Sequence, residues 1–330
     1  MKHHRFCVAP MMAISDRHFR YMWRIISSSA MLYTEMITAA ALVYGDPAYL
    51  LRFNDQEQPL ALQLGGSDPD LLSKACEIAS AYRFSEINLN VGCPSPRVSS
   101  GAFGACMLKA PDVLTACFQA MQQATDLPVT IKTRLGVDDF YDYESLLKLI
   151  ARLSNAGCQT FILHARRAWL KGLSPKENRD VPPLCYDWVY RIKQAMPELT
   201  IVINGGILDL DMTGEHLRHV DGVMVGRAAY EYPMRFAELD QKVFGIHTPG
   251  GPVTPERVVQ AYWPYLNQKL SEGDPWHALI KPLIALYHGL PGARAWRRLL
   301  TAQSLKQSSI KERLCAIELH INNSSGLPKD

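Results

Sequence analysis

None of the eight cysteines is spaced C-x-x-C with another, which argues against a structural zinc site and against a disulfide framework. No run of eighteen uncharged residues exists, so the chain offers nothing long enough to cross a bilayer as an apolar helix. The opening Met1-Lys2-His3-His4-Arg5-Phe6 lacks the apolar core of a signal peptide and leads straight into a strand pattern. With free, scattered cysteines, that start points to a reducing compartment, the cytoplasm. No G-x-G-x-x-G follows the first strand candidate, which disfavours a doubly wound dinucleotide-binding sheet.

What the chain has is rhythm. Its 330 residues suffice for one large domain and a smaller one. Short β-like apolar runs alternate with helical patterns eight times: 6–9, 31–35, 60–64, 86–90, 129–132, 160–164, 200–203 and 222–225. Between them, 69–82, 113–124, 144–155, 188–196 and 210–219 carry apolar residues at helical spacing, with Ser67-Asp68-Pro69 and Pro111-Asp112 as start signals. Eight strand–helix units within residues 1–244 predict a (β/α)8 TIM barrel of the α/β class.

After Tyr232 the alternation stops. Residues 245–254 are rich in turn formers, and 255–270, 276–288, 293–305 and 310–321 read as helices. The expected organisation is a barrel over 1–244, a linker over 245–254 and a small all-α helical bundle over 255–330. Charge is uneven along the chain: residues 1–244 carry net −1 and 245–330 carry net +4. A basic C-terminal part is a weak pointer to a polyanion.

A barrel concentrates chemistry just past the C-terminal ends of its strands. Those positions hold Pro10-Met11-Met12, Glu35-Met36, Gln63, Asn90 with Cys93, Lys132, His164, Asn204-Gly205-Gly206 and Gly226-Arg227. The segment Glu86–Ser95 is the centre of the set. It alternates Ile87 and Leu89 with Asn88 and Asn90, then breaks at Gly92 and Pro94 and presents Cys93 on a loop. A free cysteine is usually a small buried hydrophobe, but the strand-end position beside Asn90 marks this one as chemical. Glycines after the last two strands suit a phosphate held by backbone N–H groups, with Arg227 adding donors.

Lys132 could be a Schiff-base nucleophile or a fixed cation. Beside a phosphate site and Gln63, a cation facing a flavin is the better fit. Gln63 offers a donor and an acceptor to the ring edge, Pro10 to Met12 an apolar bed, and His164 a further contact. Reduction of an activated C=C then needs a proton as well as a hydride, and a Cys93 thiol can give it. The stretch after the sixth strand is long and basic, with Arg166, Arg167, Lys171, Lys176 and Arg179. Arg294 and Arg297 stand one turn apart in the C-terminal part, with Trp296 expected to pack inside. Two basic patches suggest a large anionic partner.

Five motifs together resemble the tRNA-dihydrouridine synthases: Ala9-Pro10-Met11, Asn88 to Ser95, Ile131-Lys132-Thr133-Arg134, Asn204-Gly205-Gly206 and Val225-Gly226-Arg227. His164 to Leu170, Gly172 to Arg179, and Pro291 to Arg294 with Trp296-Arg297-Arg298 resemble the A-type subfamily in particular. The resemblance implies an FMN enzyme that uses NADPH to reduce the C5=C6 bond of D-loop uridines at positions 20 and 20a. It implies that Pro10, Met11, Met12, Gln63, Lys132, His164, Asn204, Gly205, Gly206, Gly226 and Arg227 hold FMN, with Cys93 as proton donor. It further implies that Asn90, Arg97, Lys176, Arg179, Arg294 and Arg297 contact tRNA, with no metal and no obligate protein partner. Rival expectations are a barrel flavoenzyme acting on a free pyrimidine, a catalytically idle tRNA-binding protein, and a Schiff-base aldolase using Lys132.

Overall fold

The structure, a computed structural model, describes residues 2–247 and 250–301. The side chain of Arg97 and the helix expected at 310–321 lie outside the described residues.

Eight strands form in the expected order: β1 (Phe6–Val8), β2 (Met31–Thr38), β3 (Leu60–Gly65), β4 (Glu86–Val91), β5 (Val129–Arg134), β6 (Thr160–His164), β7 (Thr200–Asn204) and β8 (Gly222–Val225). Each pairs in parallel with the next, and β8 closes on β1, giving a TIM barrel. β2 runs on to Thr38, beyond its expected end, and an irregularity between Tyr33 and Met36 shifts its register against β3. The register Ala61↔Glu86, Gln63↔Asn88 and Asn90↔Lys132 places alternate residues of neighbouring strands at one level. The apolar part of the barrel's inner face is a cluster of Cys7, Ala9, Met31, Tyr33, Ala61, Ile162, Val202 and Met224.

The connecting helices follow the sequence signals. Asp68 caps Pro69–Ser80 by accepting from the N–H groups of Asp70 and Leu71, and Pro69 sits where its missing N–H costs nothing. Pro111–Gln123, Tyr143–Asn155, Tyr186–Ala195 and Leu210–His216 form where periodicity places them.

The chain divides into two compact units: residues 1–17 with 29–226, and residues 18–28 with the chain from 227 onward. The break falls after Gly226, ahead of the turn-rich 245–254 expected as the linker. The second unit takes in all but the first residue of the helix Arg17–Ile26, which is not among the expected helices. Seven of its ten residues are buried, including His18 and Arg20, although Arg17, Arg20 and Arg24 recur at helical spacing along one face. Its Tyr21 ring stacks 3.8 Å from Tyr265, and Trp23 Nε1 donates to Ala229 O at 2.8 Å.

In the same unit Pro255–Ser271 is one long helix. The expected helix 276–288 stops at Ile280 and tightens into a 3₁₀ turn, Lys281–Leu283. Pro282 lacks the N–H that a continuing helix needs. Ala293–Thr301 buries Trp296, whose Nε1 donates to Leu283 O at 2.8 Å, and leaves Arg294 and Arg297 exposed.

Candidate active site

Cys93 stands two residues beyond β4 and is partly exposed. Three contacts fix its loop. Asn90 Oδ1 accepts from the N–H of Cys93 at 3.0 Å and of Gly92 at 3.1 Å. The carbonyl of Cys93 accepts from Ala105 N at 3.0 Å. Gly104 packs beneath it with φ +74°, where a Cβ would lie 2.6 Å from Cys93 O and 2.5 Å from Val98 Cγ1, so only glycine fits. The thiol faces Ser95 Oγ at 3.5 Å.

Lys132 and Arg134 are inward-facing neighbours at the end of β5. Lys132 Nζ donates to Asn204 Oδ1 at 3.1 Å, and Asn204 Nδ2 donates to Met224 O at 2.8 Å, tying β5, β7 and β8 together. Burial, with repulsion from Arg134, lowers the Lys132 ammonium to about 7, and Cys93 works in the opposite direction. His164, at the end of β6, is held well below its usual value by burial and then by Arg134, Lys132, Arg166 and Arg179. The charges acting on it are all cations, so this end of the barrel is a field waiting for anions.

Arg134 is a residue of this barrel end that the strand-end positions alone did not single out. Nε donates to Gly92 O at 3.2 Å, and Nη1 donates to Arg167 O at 3.2 Å and Asn178 O at 2.7 Å. One planar guanidinium thus ties the Cys93 loop to the basic stretch after β6, a geometry that a lysine cannot copy. Asn178 knits that stretch: its Oδ1 accepts from Trp169 N at 2.7 Å and its Nδ2 donates to Trp169 O at 2.8 Å.

The basic stretch sorts itself. Arg166 is buried and donates to the carbonyls of Asp180 and Pro182. Arg167 lies over the rings of Trp169 and Tyr141, 4.1 and 4.8 Å from their centroids. Lys171, Lys176 and Arg179 are exposed. The sequence made all five look alike; two are internal clamps and three face outward.

At the end of β7 Gly205 and Gly206 have φ of +112° and +75°. A Cβ on Gly205 would meet the His164 ring at 2.7 Å, and one on Gly206 the Tyr186 hydroxyl at 2.7 Å. Tyr186 OH in turn donates to Gly205 O at 2.8 Å. Two residues that must lack a side chain, next to His164 and a cationic field, suit a phosphate bound through backbone N–H groups. Gly226 has more room: a Cβ there would have Ala9 Cβ and Met11 Sδ as its nearest neighbours, at 3.8 and 4.0 Å. Arg227 follows in the chain, partly exposed, and opens the helix Arg227–Glu231.

Of the expected apolar bed, Met11 packs against the barrel's inner cluster, whereas Met12 is 61% exposed. Gln63 sits deeper than expected. It is 1% exposed, its Oε1 accepts from Asn90 and its Nε2 donates to Asn88. One N–H and one lone pair of its amide remain for other use. Among the described residues no group of three or more His, Cys, Asp or Glu could hold a metal ion, and no helix is long and apolar enough to cross a membrane.

Comparison with known proteins decides which chemistry such a barrel end serves. The family model for dihydrouridine synthase matches residues 7–322. This chain belongs to the dihydrouridine synthase family. It is 48% identical over 307 residues to the tRNA-dihydrouridine(20/20a) synthase of Synechocystis sp., covering 93% of this chain and 91% of the relative. It is 47% identical over 304 residues to the proteins of the same name from Shewanella oneidensis and Escherichia coli strain K12. Those matches cover 92% of this chain and 90% and 87% of the relatives. Dihydrouridine synthases are flavin-dependent oxidoreductases. A flavin phosphate fits the side-chain-free turn at Gly205-Gly206, and the electron-rich face of a reduced ring fits Lys132.

Proposed function

We propose that this chain uses FMN and NADPH to reduce the C5=C6 bond of uridines 20 and 20a in the D-loop of tRNA, with Cys93 giving the proton to C5. The observation that carries this reading is a thiol on a loop locked by Asn90, Arg134 and Gly104, at the end of the barrel that also holds Lys132 and the Gly205-Gly206 turn. FMN, when bound, supplies the hydride that C6 receives.

The chain's own residues do the rest. Gly205, Gly206, Gly226 and Arg227 hold the phosphate, Lys132 and His164 stand beside the ring system, and Pro10, Met11, Met12 and Gln63 complete its bed. Cys93 must act in its thiol form, because the acceptor carbon needs a proton and not a nucleophile. Asn90 holds the Cys93 backbone so that the thiol points at one place.

The uridine must leave its stack to be reached, at a cost of a few kcal/mol. Exposed Lys176, Arg179, Arg294 and Arg297, with Arg97, offset that cost through tRNA phosphates. The setting we infer is the cytoplasm, where tRNA and NADPH meet.

The test is Cys93→Ala. Flavin content and flavin reduction by NADPH should stay at wild-type levels while dihydrouridine formation is lost. Normal product from that variant would place the proton source elsewhere. Turnover of free uridine in preference to unmodified tRNA would favour a free-pyrimidine flavoenzyme.

A further inference from the structure

Five hydrogen bonds run head to tail through the barrel, from the Cys93 loop to Glu86 at the start of β4. Cys93 N donates to Asn90 Oδ1 (3.0 Å), Asn90 Nδ2 to Gln63 Oε1 (2.9 Å), and Gln63 Nε2 to Asn88 Oδ1 (2.8 Å). Asn88 Nδ2 then donates to Thr130 Oγ1 (2.8 Å), and Thr130 Oγ1 to Glu86 Oε1 (3.1 Å). The four inner members, Gln63, Asn88, Thr130 and Glu86, are each at most 2% exposed, so water does not replace a missing partner.

We propose that Asn88, Thr130 and Glu86 are positioning residues for Cys93, which act by fixing which way round the amides of Gln63 and Asn90 point. This deepens the function proposed above and rests on Cys93 as proton donor. An amide can turn over, and its shape alone does not select an orientation. Here both ends of the column demand the same one. Glu86 Oε1 accepts from Thr130 and also from Tyr33 OH at 2.7 Å, while His4 Nε2 lies 2.6 Å from Oε2. Oε1 is therefore an acceptor whether the carboxyl is ionised or shares a proton with His4.

Thr130 must donate to it and accept from Asn88. At the other end the backbone N–H groups of Gly92 and Cys93 can only donate, so Asn90 turns Oδ1 towards them. Reversing the amides in between would lose bonds at both ends, and bonds aligned in one direction strengthen one another. A carboxylate several residues below the site thus keeps the proton donor's backbone in place without touching substrate.

The break is Thr130→Val, which keeps the shape and removes the hydroxyl. It should slow oxidation of the NADPH-reduced enzyme by tRNA about tenfold, the worth of roughly one hydrogen bond. The rate of reduction by NADPH should fall less than that, since the flavin bed shares only Gln63 with the column; an equal fall in both steps would place the effect at the flavin and overturn the proposal. Thr130→Ser should restore the rate to within about twofold, again on the strength of that one bond.

A wild-type rate in Thr130→Val, or Thr130→Ser as slow as Thr130→Val, would overturn the proposal. If Thr130→Val does not fold, Thr130→Ala reads the same link. It too removes the hydroxyl that joins Asn88 to Glu86, so a wild-type rate there also overturns the proposal. Cys93→Ala, run alongside, separates the two ideas. Full product from it defeats the proton-donor reading, whereas a dead Cys93→Ala with an unaffected Thr130→Val defeats only the positioning column.

Discussion

Lys132 should take up a proton when FMN binds, and the size of that uptake follows from its surroundings. In the flavin-free protein, burial and Arg134 lower its ammonium from the ordinary 10.5 to about 7. At pH 8 only about a tenth of the molecules then carry the charge. An anionic flavin beside the amine opposes both causes. If it restores the ordinary value, binding takes up about 0.9 proton per flavin at pH 8. Across pH 7.5 to 9.5 the dissociation constant should rise by about one decade per pH unit, because each unit demands a proton from a scarcer supply.

The stability of the flavin-free protein should move in the matching sense. Between about 7 and 10.5 the unfolded chain binds a proton that the folded chain refuses, so stability grows as pH rises through that window and stays at its lower level beneath it. Titration calorimetry in buffers of different ionisation enthalpy reads the uptake directly. Lys132→Met should abolish the uptake and flatten the pH dependence. Buffer-independent heats for the wild-type protein at pH 8 would refute the reasoning, as would an uptake that survives in Lys132→Met.

Three further outcomes follow from other parts of the site. Gly104→Ala drives a Cβ to within 2.6 Å of Cys93 O at φ +74°, and should cost about 1–2 kcal/mol of stability. It should also lower product formation more than flavin content, as thermal melts and tRNA turnover will show. Arg134→Met leaves the carbonyls of Gly92, Arg167 and Asn178 without their donor. A loss of at least about 2 kcal/mol in urea titrations is expected, and Arg134→Lys should not recover it. Arg294→Ala with Arg297→Ala should weaken tRNA binding and make its salt dependence shallower by roughly 1.5 in the log–log slope. Flavin content should hold; its loss would mean that the helix Ala293–Thr301 supports the flavin and not the RNA.

The barrel was readable because parallel strands buried on both faces are near-continuous apolar runs, and eight of them bounded by caps and glycines admit few closures. Cys93, Lys132 and Gly205 were readable for a related reason: a chain break or a charge at the end of such a run has no packing purpose.

What escaped the sequence escaped because it depends on partners far along the chain. Arg166 and Arg179 have the same chemistry and lie thirteen residues apart, yet one is buried against carbonyls and the other faces outward. The helix Arg17–Ile26 buries His18 and Trp23 against partners, Tyr265 and Ala229, that come more than two hundred residues later. The alternation Glu86, Asn88, Asn90 is the clearest case. In an open sheet it would read as a wet face, and here that face is the inside of a closed barrel. Closure turns three polar residues that a flat sheet would give to solvent into a dry column, and a dry column holds only if each member is bonded to the next. The strand pattern and the topology therefore have to be read together, since neither alone shows that the polar face is the one facing the chemistry.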